Sequence, residues 1–301
     1  PADSGILRGL GDSVMPLLFL IIACGLNVVL DIWFVASFRM GVAGAAWATI
    51  ISQAVSGALC LIRLLLMRDI LHVRLRSLWP SRELLSQLVR LGLPSGLTQA
   101  IFSMAMIVVQ SLTNSFGTTI IAVSTVVMRV DGFAMMPNFT FGTAMTTFTG
   151  QNIGAKRLDR VEKGTKDGMK IGLVVSVILV AMILLFGRYL VEMFTSTPDV
   201  IRLSVHMMQI LAVGYVAMAV TQILSGVMRG AGDTMTPMWI SMITTIVIRV
   251  PIAYGLAAWL QSPDALFISM LVSWVMGAVL TVLAYRMGRW KRKSVISREA
   301  V

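Results

Sequence analysis

The chain has 301 residues, 57% hydrophobic and 13% charged, with a mean hydropathy of +0.85 and a formal net charge of +11. About half the charged share of a soluble domain excludes an ordinary water-soluble fold, and the absence of short alternating strands excludes a closed barrel. The positive charge is not a nucleic-acid footprint, because Lys and Arg gather in the short segments on one side of the apolar runs.

In chain order, apolar runs long enough to cross a hydrocarbon core of about 30 Å predict helices over 14–36, 42–66, 92–113, 118–148, 170–192, 201–228, 237–259 and 265–287. The segments 1–13, 67–91, 149–169, 229–236 and 288–301 hold most of the basic residues, among them Arg68, Arg74, Arg76, Arg82, Arg90, Lys156, Arg157, Arg160, Lys163, Lys166 and Arg289 to Lys293. The opposite loops hold little beyond Arg39, with Arg188 and Arg202 near span ends. This asymmetry places the linker and the C-terminus on the cytoplasmic side of a multi-pass protein of the cell's inner membrane. Within 67–91, Trp79, Pro80 and Ser81 precede an amphipathic run through Arg90, which predicts an interfacial helix entering the next span. Cys24 and Cys60 lie inside apolar runs and read as small packing residues. His72 and His206 stand alone, and neither metal-ligand spacing nor a nucleophile–base arrangement is present, so an enzyme is not expected.

One motif occurs twice. Residues 4–16 read SGILRGLGDSVMP, and residues 225–237, 221 positions later, read SGVMRGAGDTMTP. Val55, Gly57 and Ala58 fall against Val275, Gly277 and Ala278, so the similarity extends over two spans. Gly9 and Gly11 permit a tight turn with positive φ, Asp12 and Ser13 can cap the following helix, and Pro16 suits its first turn. A single copy reads as a good helix-to-helix turn. Two copies separated by six spans have the same orientation, which makes a parallel repeat as found in some secondary transporters. Symmetry then predicts that about 140 further residues, four helices, precede residue 1 in the complete repeat.

The paired RGxGD[ST]xxP turns resemble those of the multidrug and toxic compound extrusion family. GQNIGAKR at 150–157, RVDGFAMMP at 129–137 and IRVP at 248–251 resemble the same family's second bundle. The resemblance implies an all-α, two-bundle membrane fold lacking its first four helices. Residues 1–66 would be the remainder of the N-terminal lobe, 67–91 an inter-lobe linker, 92–288 a six-helix C-terminal lobe and 289–301 a basic tail. It also implies a monomeric antiporter that exports small amphipathic or cationic substrates in exchange for H⁺ or Na⁺, without an organic cofactor or a bound metal other than Na⁺. Alternating access about a central cavity would drive the exchange.

Four ionisable side chains lie within the predicted spans, and each is costly in hydrocarbon: Asp31, Arg129, Asp131 and Arg249. Asn27 and Asp31 are four apart and share a helix face; they read either as a proton- or sodium-exchanging pair or as polar glue between helices. Asn-x-x-x-Asp resembles the family's first-lobe cation site, which carries Asn27 and Asp31 over as coupling residues; the family's site also uses an acid on its first helix that this sequence does not contain. Arg129 and Asp131 are two apart and so face different ways, and a neutralising pair of Asp131 or another acid with Arg249 is expected. Where the family's NorM-like branch carries second-lobe acids, this chain has Phe102 and Met218, so the pattern resembles a DinF-like branch that couples through the first lobe. Among the 22 Met, those on the third and fourth spans, notably Met104, Met128 and Met135, together with Phe133, read either as an adaptable substrate cavity or as lipid-facing filler. The nearest competing function is a flippase for lipid-linked saccharides of related fold, although only Arg129 and Arg249 offer the cations a pyrophosphate needs. A channel filter is not visible.

Overall fold

The computed structural model describes residues 2–67 and 82–292. Among the described residues the structure is all helix and turn, with eight helices long and apolar enough to span a membrane. Arg68 to Ser81, including Trp79 and Pro80, and the tail from Lys293 onward lie outside the described residues, so the expectations placed on them are not addressed. The chain separates into two compact units, Pro1–Leu85 and Ser86–Val301.

In the first unit a short helix, α1 (Ala2–Gly9), leads into α2 (Val14–Asp31), which continues as a π-helical segment, Ile32–Ser37, before α3 (Gly41–Leu66) returns antiparallel. The buried face of α3 is Gly44, Ala48, Ser52, Ser56, Cys60 and Leu64, one residue every four. The large side chains, such as Val42, Trp47, Ile50, Leu61 and Ile62, point outward. This inverts the pattern of a soluble protein. Lipid tails are as apolar as Leu, so helices gain by close packing of small residues instead of by hiding large ones.

The second unit holds α4 (Arg82–Ser115), α5 (Thr118–Gly154), α6 (Leu158–Glu192) and α7 (Pro198–Gly230). It continues through α8 (Met235–Met242), a π-helical segment Ile243–Arg249, α9 (Val250–Leu260), α10 (Asp264–Arg286) and α11 (Arg289–Arg292). The core helix is α7, which packs against α5, α6 and α10. Leu211, Tyr215, Ala219, Ile223 and Val227, again every fourth residue, are at most 1% exposed. Glycines permit the approach: an ideal Cβ on Gly226 would sit 2.3 Å from the backbone oxygen of Gly142, and one on Gly230 2.4 Å from that of Thr146.

Several helix ends depart from the bounds expected from hydropathy. The interfacial helix before the third span is continuous with it in α4, from Arg82 onward. Gly150–Gly154 are the last turns of α5 instead of a loop, and α6 begins at Leu158 instead of near 170. Only Ala155–Arg157 turn, with Lys156 left-handed at φ 57°. Hydropathy marks where hydrocarbon ends; the helices continue past it, because Glu, Lys and Arg are good helix formers in water. Arg289–Arg292 form the short helix α11: Trp290 is 1% exposed, stacks on Tyr285 and donates from Nε1 to the Tyr285 carbonyl at 3.1 Å, and Lys291 pairs with Glu162 of α6.

The repeated turn has the same geometry twice. Gly11 has φ 94° and Gly232 φ 89°. The Asp12 N–H donates to the Leu7 carbonyl and the Asp233 N–H to that of Met228, each at 2.9 Å. Asp12 Oδ1 accepts from the Met15 N–H at 3.1 Å, and Asp233 Oδ1 from the Thr236 N–H at 3.2 Å. The cap is therefore Asp alone, since Ser13 makes no side-chain cap bond, and the positive φ belongs to Gly11 and not to Gly9. Asp12 also pairs with Arg63 at 3.3 Å, tying the turn to the end of α3.

Two outcomes are expected from this architecture. Gly226→Val forces α5 and α7 apart and costs about 1–3 kcal/mol, read as a lower midpoint of thermal unfolding in detergent, whereas an unchanged midpoint removes the crossing as a determinant. Asp12→Ala loses the cap, worth about 1 kcal/mol, while Asp12→Asn keeps a capping oxygen and loses only the ion pair. The Asn variant should therefore unfold closer to wild type than the Ala variant in the same assay.

Candidate functional site

In α2, Asn27 and Asp31 stand one turn apart and half-buried. Asn27 Nδ2 and Asp31 Oδ1 are both buried and neither has a hydrogen-bond partner among the described residues. Asp31 is the residue from which the π-helical segment starts, and there the Phe38 N–H reaches the Trp33 carbonyl, five residues back, at 3.2 Å. Such wider turns change the direction in which side chains leave the helix, and they recur at functional sites.

The second unit contains a different arrangement. Asp131 on α5 is 8% exposed and accepts a hydrogen bond on Oδ1 from the hydroxyl of Tyr215 on α7. Seven residues along the same face of α5, Asn138 donates from Nδ2 to the backbone carbonyl of Tyr215 at 3.2 Å and accepts on Oδ1 from the Ser176 hydroxyl at 3.1 Å. Three helices are thus joined by a polar chain through the middle of the unit. Arg249 closes the second π-helical segment and is 4% exposed. It lines one cavity with Asp131 but does not make a direct ion pair with it: its Nη2 lies 3.6 Å from the thioether sulfur of Met270, and its Nε makes no hydrogen bond within the protein.

That cavity, of about 60 Å³, is bordered by Gln110 and Thr113 of α4, Ser124, Met128 and Asp131 of α5, and Met270 of α10. It has room for waters or a small ion and not for a drug-sized molecule, whose sites run to about 300–1,000 Å³. Arg129 is not part of it. Its exposed guanidinium lies 5.7 Å from the ring centroid of Phe194, and among the described residues no ion pair joins Arg129 to Asp131. The residues read as a substrate cavity are not gathered in one place within the unit: Met128 borders the charged cavity, Met135 is buried beside Asn138, and Met104 and Phe133 point outward, at 64% and 68% exposed.

Sequence reading passed over Tyr215, Asn138 and Ser176. The i, i+7 spacing of Asp131 and Asn138 places them on one helix face and was the available signal. Tyr215 carried no motif, and its role comes from the close approach of α7 to α5. Among the described residues no cluster of His, Cys, Asp or Glu could hold a metal ion.

Comparison with known proteins fits this architecture. The MatE family matches residues 94–255, more than half of the chain. "Probable multidrug resistance protein YpnP" of Bacillus subtilis (strain 168) is 33% identical over 297 residues, covering 98% of this chain and 66% of its own length. A transporter of the MOP superfamily from Pyrococcus furiosus superposes with a TM-score of 0.90 at 28% identity, covering 97% of this chain and 66% of that one. The outward-facing structure of a multidrug resistance MATE family transporter superposes at 0.89 with the same identity, over 96% of this chain and 66% of that one. The chain thus spans 66% of the length of these relatives. It is a multi-pass membrane protein that belongs to the MatE family, the transporter family its paired turns resemble.

Proposed function

We propose that the protein is a secondary antiporter of the inner membrane, with its linker and C-terminus cytoplasmic, that exports small amphipathic or cationic molecules by alternating access. H⁺ or Na⁺ entering in exchange would be held at Asn27 and Asp31. The observation that carries this reading is the unpartnered pair on α2: a carboxylate oxygen and an amide nitrogen, both buried and one turn apart, without a hydrogen bond inside the protein. A polar pair kept only to glue helices would be expected to find partners, since an unsatisfied group in hydrocarbon costs several kcal/mol. A carboxylate left open can instead be neutralised by a proton or by a cation, each of which stabilises only the states that hold it. The names of the relatives, multidrug resistance and multidrug export proteins, support the substrate class. The absence of acids at Phe102 and Met218 supports coupling through the first unit, as in a DinF-like branch. Arg249 lines the cavity that also holds Asp131, which leaves little free cationic charge for a pyrophosphate and disfavours the flippase reading.

The test is gradient-driven dye transport by the full-length protein in vesicles, with a proton gradient or a sodium gradient imposed separately. Asp31→Asn should abolish transport driven by whichever gradient works for wild type, while the variant still binds the dye. Asn27→Ala should weaken it, more severely if the working ion is Na⁺, for which the Asn carbonyl is a ligand. Undiminished coupled transport by Asp31→Asn would remove Asp31 from the exchange.

A further inference from the structure

The cavity in the second unit raises a separate question, independent of the reading of Asp31. Four of its bordering side chains carry oxygen: the Asp131 carboxylate, the Thr113 and Ser124 hydroxyls and the Gln110 amide. Oxygens of this kind, with one negative charge among them, are the donor set that a hard cation such as Na⁺ takes. Gln110 donates from Nε2 to Asn114 at 2.9 Å, so its nitrogen is engaged and its carbonyl is the group left to serve as a ligand. Thr113, only 4% exposed, spends its hydroxyl proton on the Val109 carbonyl at 2.9 Å and keeps its lone pairs. Tyr215 occupies one Asp131 oxygen, and Asp131 Oδ2 makes no hydrogen bond among those seen.

The cavity also contains a cation of the protein's own. Arg249 is almost wholly buried, is always charged, and reaches the cavity from the end of a π-helical segment. Apart from the thioether of Met270, a weak acceptor, it has no hydrogen-bond partner among the described residues, and its Nε makes none there. A guanidinium this deep is strongly unfavourable unless a negative charge lies close. The carboxylate across the cavity is the one negative group bordering it.

We propose that Arg249 is a tethered substitute for a coupling cation: its guanidinium occupies the oxygen-lined cavity electrostatically, so that the second unit keeps Asp131 ionised and paired without taking up Na⁺. Because the charge is covalently attached it cannot be exchanged, and the cavity serves the fold as a fixed ion site. Removal of the guanidinium should turn the cavity into a functional Na⁺ site, since the oxygens and their charge remain.

The experiment measures thermal unfolding of the purified protein in detergent, in NaCl and in N-methyl-D-glucamine chloride of equal ionic strength. It is carried out in an Asp31→Asn background, so that sodium binding at the first-unit site is removed and failure of that reading is seen separately in the Asp31 transport assay. The Asp31→Asn protein should unfold at the same temperature in both salts. Adding Arg249→Gln should lower the midpoint in the organic salt, and saturating Na⁺ should raise it by about 5 °C. Adding Asp131→Asn as well should abolish the sodium effect, and Arg249→Lys, which retains a charge, should remain indifferent to sodium. A folded Arg249→Gln protein with no sodium response overturns the proposal, as does a sodium response of the Asp31→Asn protein that disappears with Asp131→Asn. Should Arg249→Gln fail to fold in either salt, the neutral pair Asp131→Asn/Arg249→Gln decides. Its recovery of folding supports the charge coupling, and failure as complete as that of Arg249→Gln overturns it.

Discussion

The second unit depends on one contact, the meeting of α5 and α7 backbone to backbone at Gly142 and Gly226. No side chain intervenes there, and a methyl group at Gly226 would collide with the Gly142 carbonyl. Such closeness fixes the register of the two helices, and the register determines which polar groups can meet. Asp131, eleven residues before Gly142, comes within hydrogen-bonding reach of Tyr215, eleven residues before Gly226. Asn138 lies between and reaches the Tyr215 carbonyl. With lipid on the outside, van der Waals contact and interhelical hydrogen bonds are the forces available to hold helices together, and here the first positions the second. In the first unit the buried stripe of α3 from Gly44 to Leu64 packs in the same close way, and the Asp12–Arg63 pair adds a polar tie at the end of the helix.

Much of this was legible in the sequence, for a physical reason. Inside a bilayer every backbone N–H and C=O must be satisfied within its own segment, so an apolar run of sufficient length becomes a helix almost irrespective of context. All eight spans were therefore visible. The doubled turn was legible because Gly and Asp perform local work, a left-handed residue and a cap, that few other residues can perform. What could not be read was decided by water or by distant neighbours. The extension of α6 back to Leu158 lies in polar sequence where hydropathy carries no information. The docking of Trp290 depends on Tyr285 and on the Lys291–Glu162 pair, and those residues look like ordinary tail composition. Tyr215 became a partner of Asp131 only because two glycines elsewhere let their helices touch. At the candidate site the four intramembrane charges were visible as anomalies, whereas their division into an open pair, an exposed Arg129 and a shared cavity was a property of packing.

The two copies of the repeat have diverged in a way that their shared turn makes measurable. The turns superpose in hydrogen-bond pattern, from the bond between Asp12 and Leu7 to that between Asp233 and Met228. Carrying the same 221-residue offset into the following span places Ile248 and Ile252 opposite Asn27 and Asp31. The acid of the first copy has no counterpart, and a base, Arg249, stands in the second copy beside the position that matches Asn27. The span therefore changes the sign of its charge between copies while the turn that feeds it stays the same. A turn is constrained by φ and by capping and tolerates few substitutes. A charge in a span is constrained only by the requirement that something nearby compensates it, and that requirement can be met in more than one way.

The spans that carry Asp31 and Arg249 each contain a π-helical segment next to the charge, Ile32–Ser37 beginning after Asp31 and Ile243–Arg249 ending on Arg249, whereas α5, which carries Arg129 and Asp131, contains none. An extra residue within a turn loosens the backbone hydrogen bonding and rotates the following side chains relative to the preceding ones. In a purely apolar span such a defect has no compensation and would be lost. Beside an ionisable group it sets the direction in which that group faces, away from lipid and toward the protein interior. The difference lies in what each group finds there. Among the described residues Asp31 Oδ1 finds no hydrogen-bond partner, whereas Arg249 and Asp131 line one cavity. On these readings the first unit changes its charge during a cycle and the second keeps its own constant, so an ion gradient acts on one of the two units alone. A transporter needs such an asymmetry: a gradient drives one conformational change only if the ion binds the two states with different affinity, and a site whose cation is covalently attached has no such difference to offer.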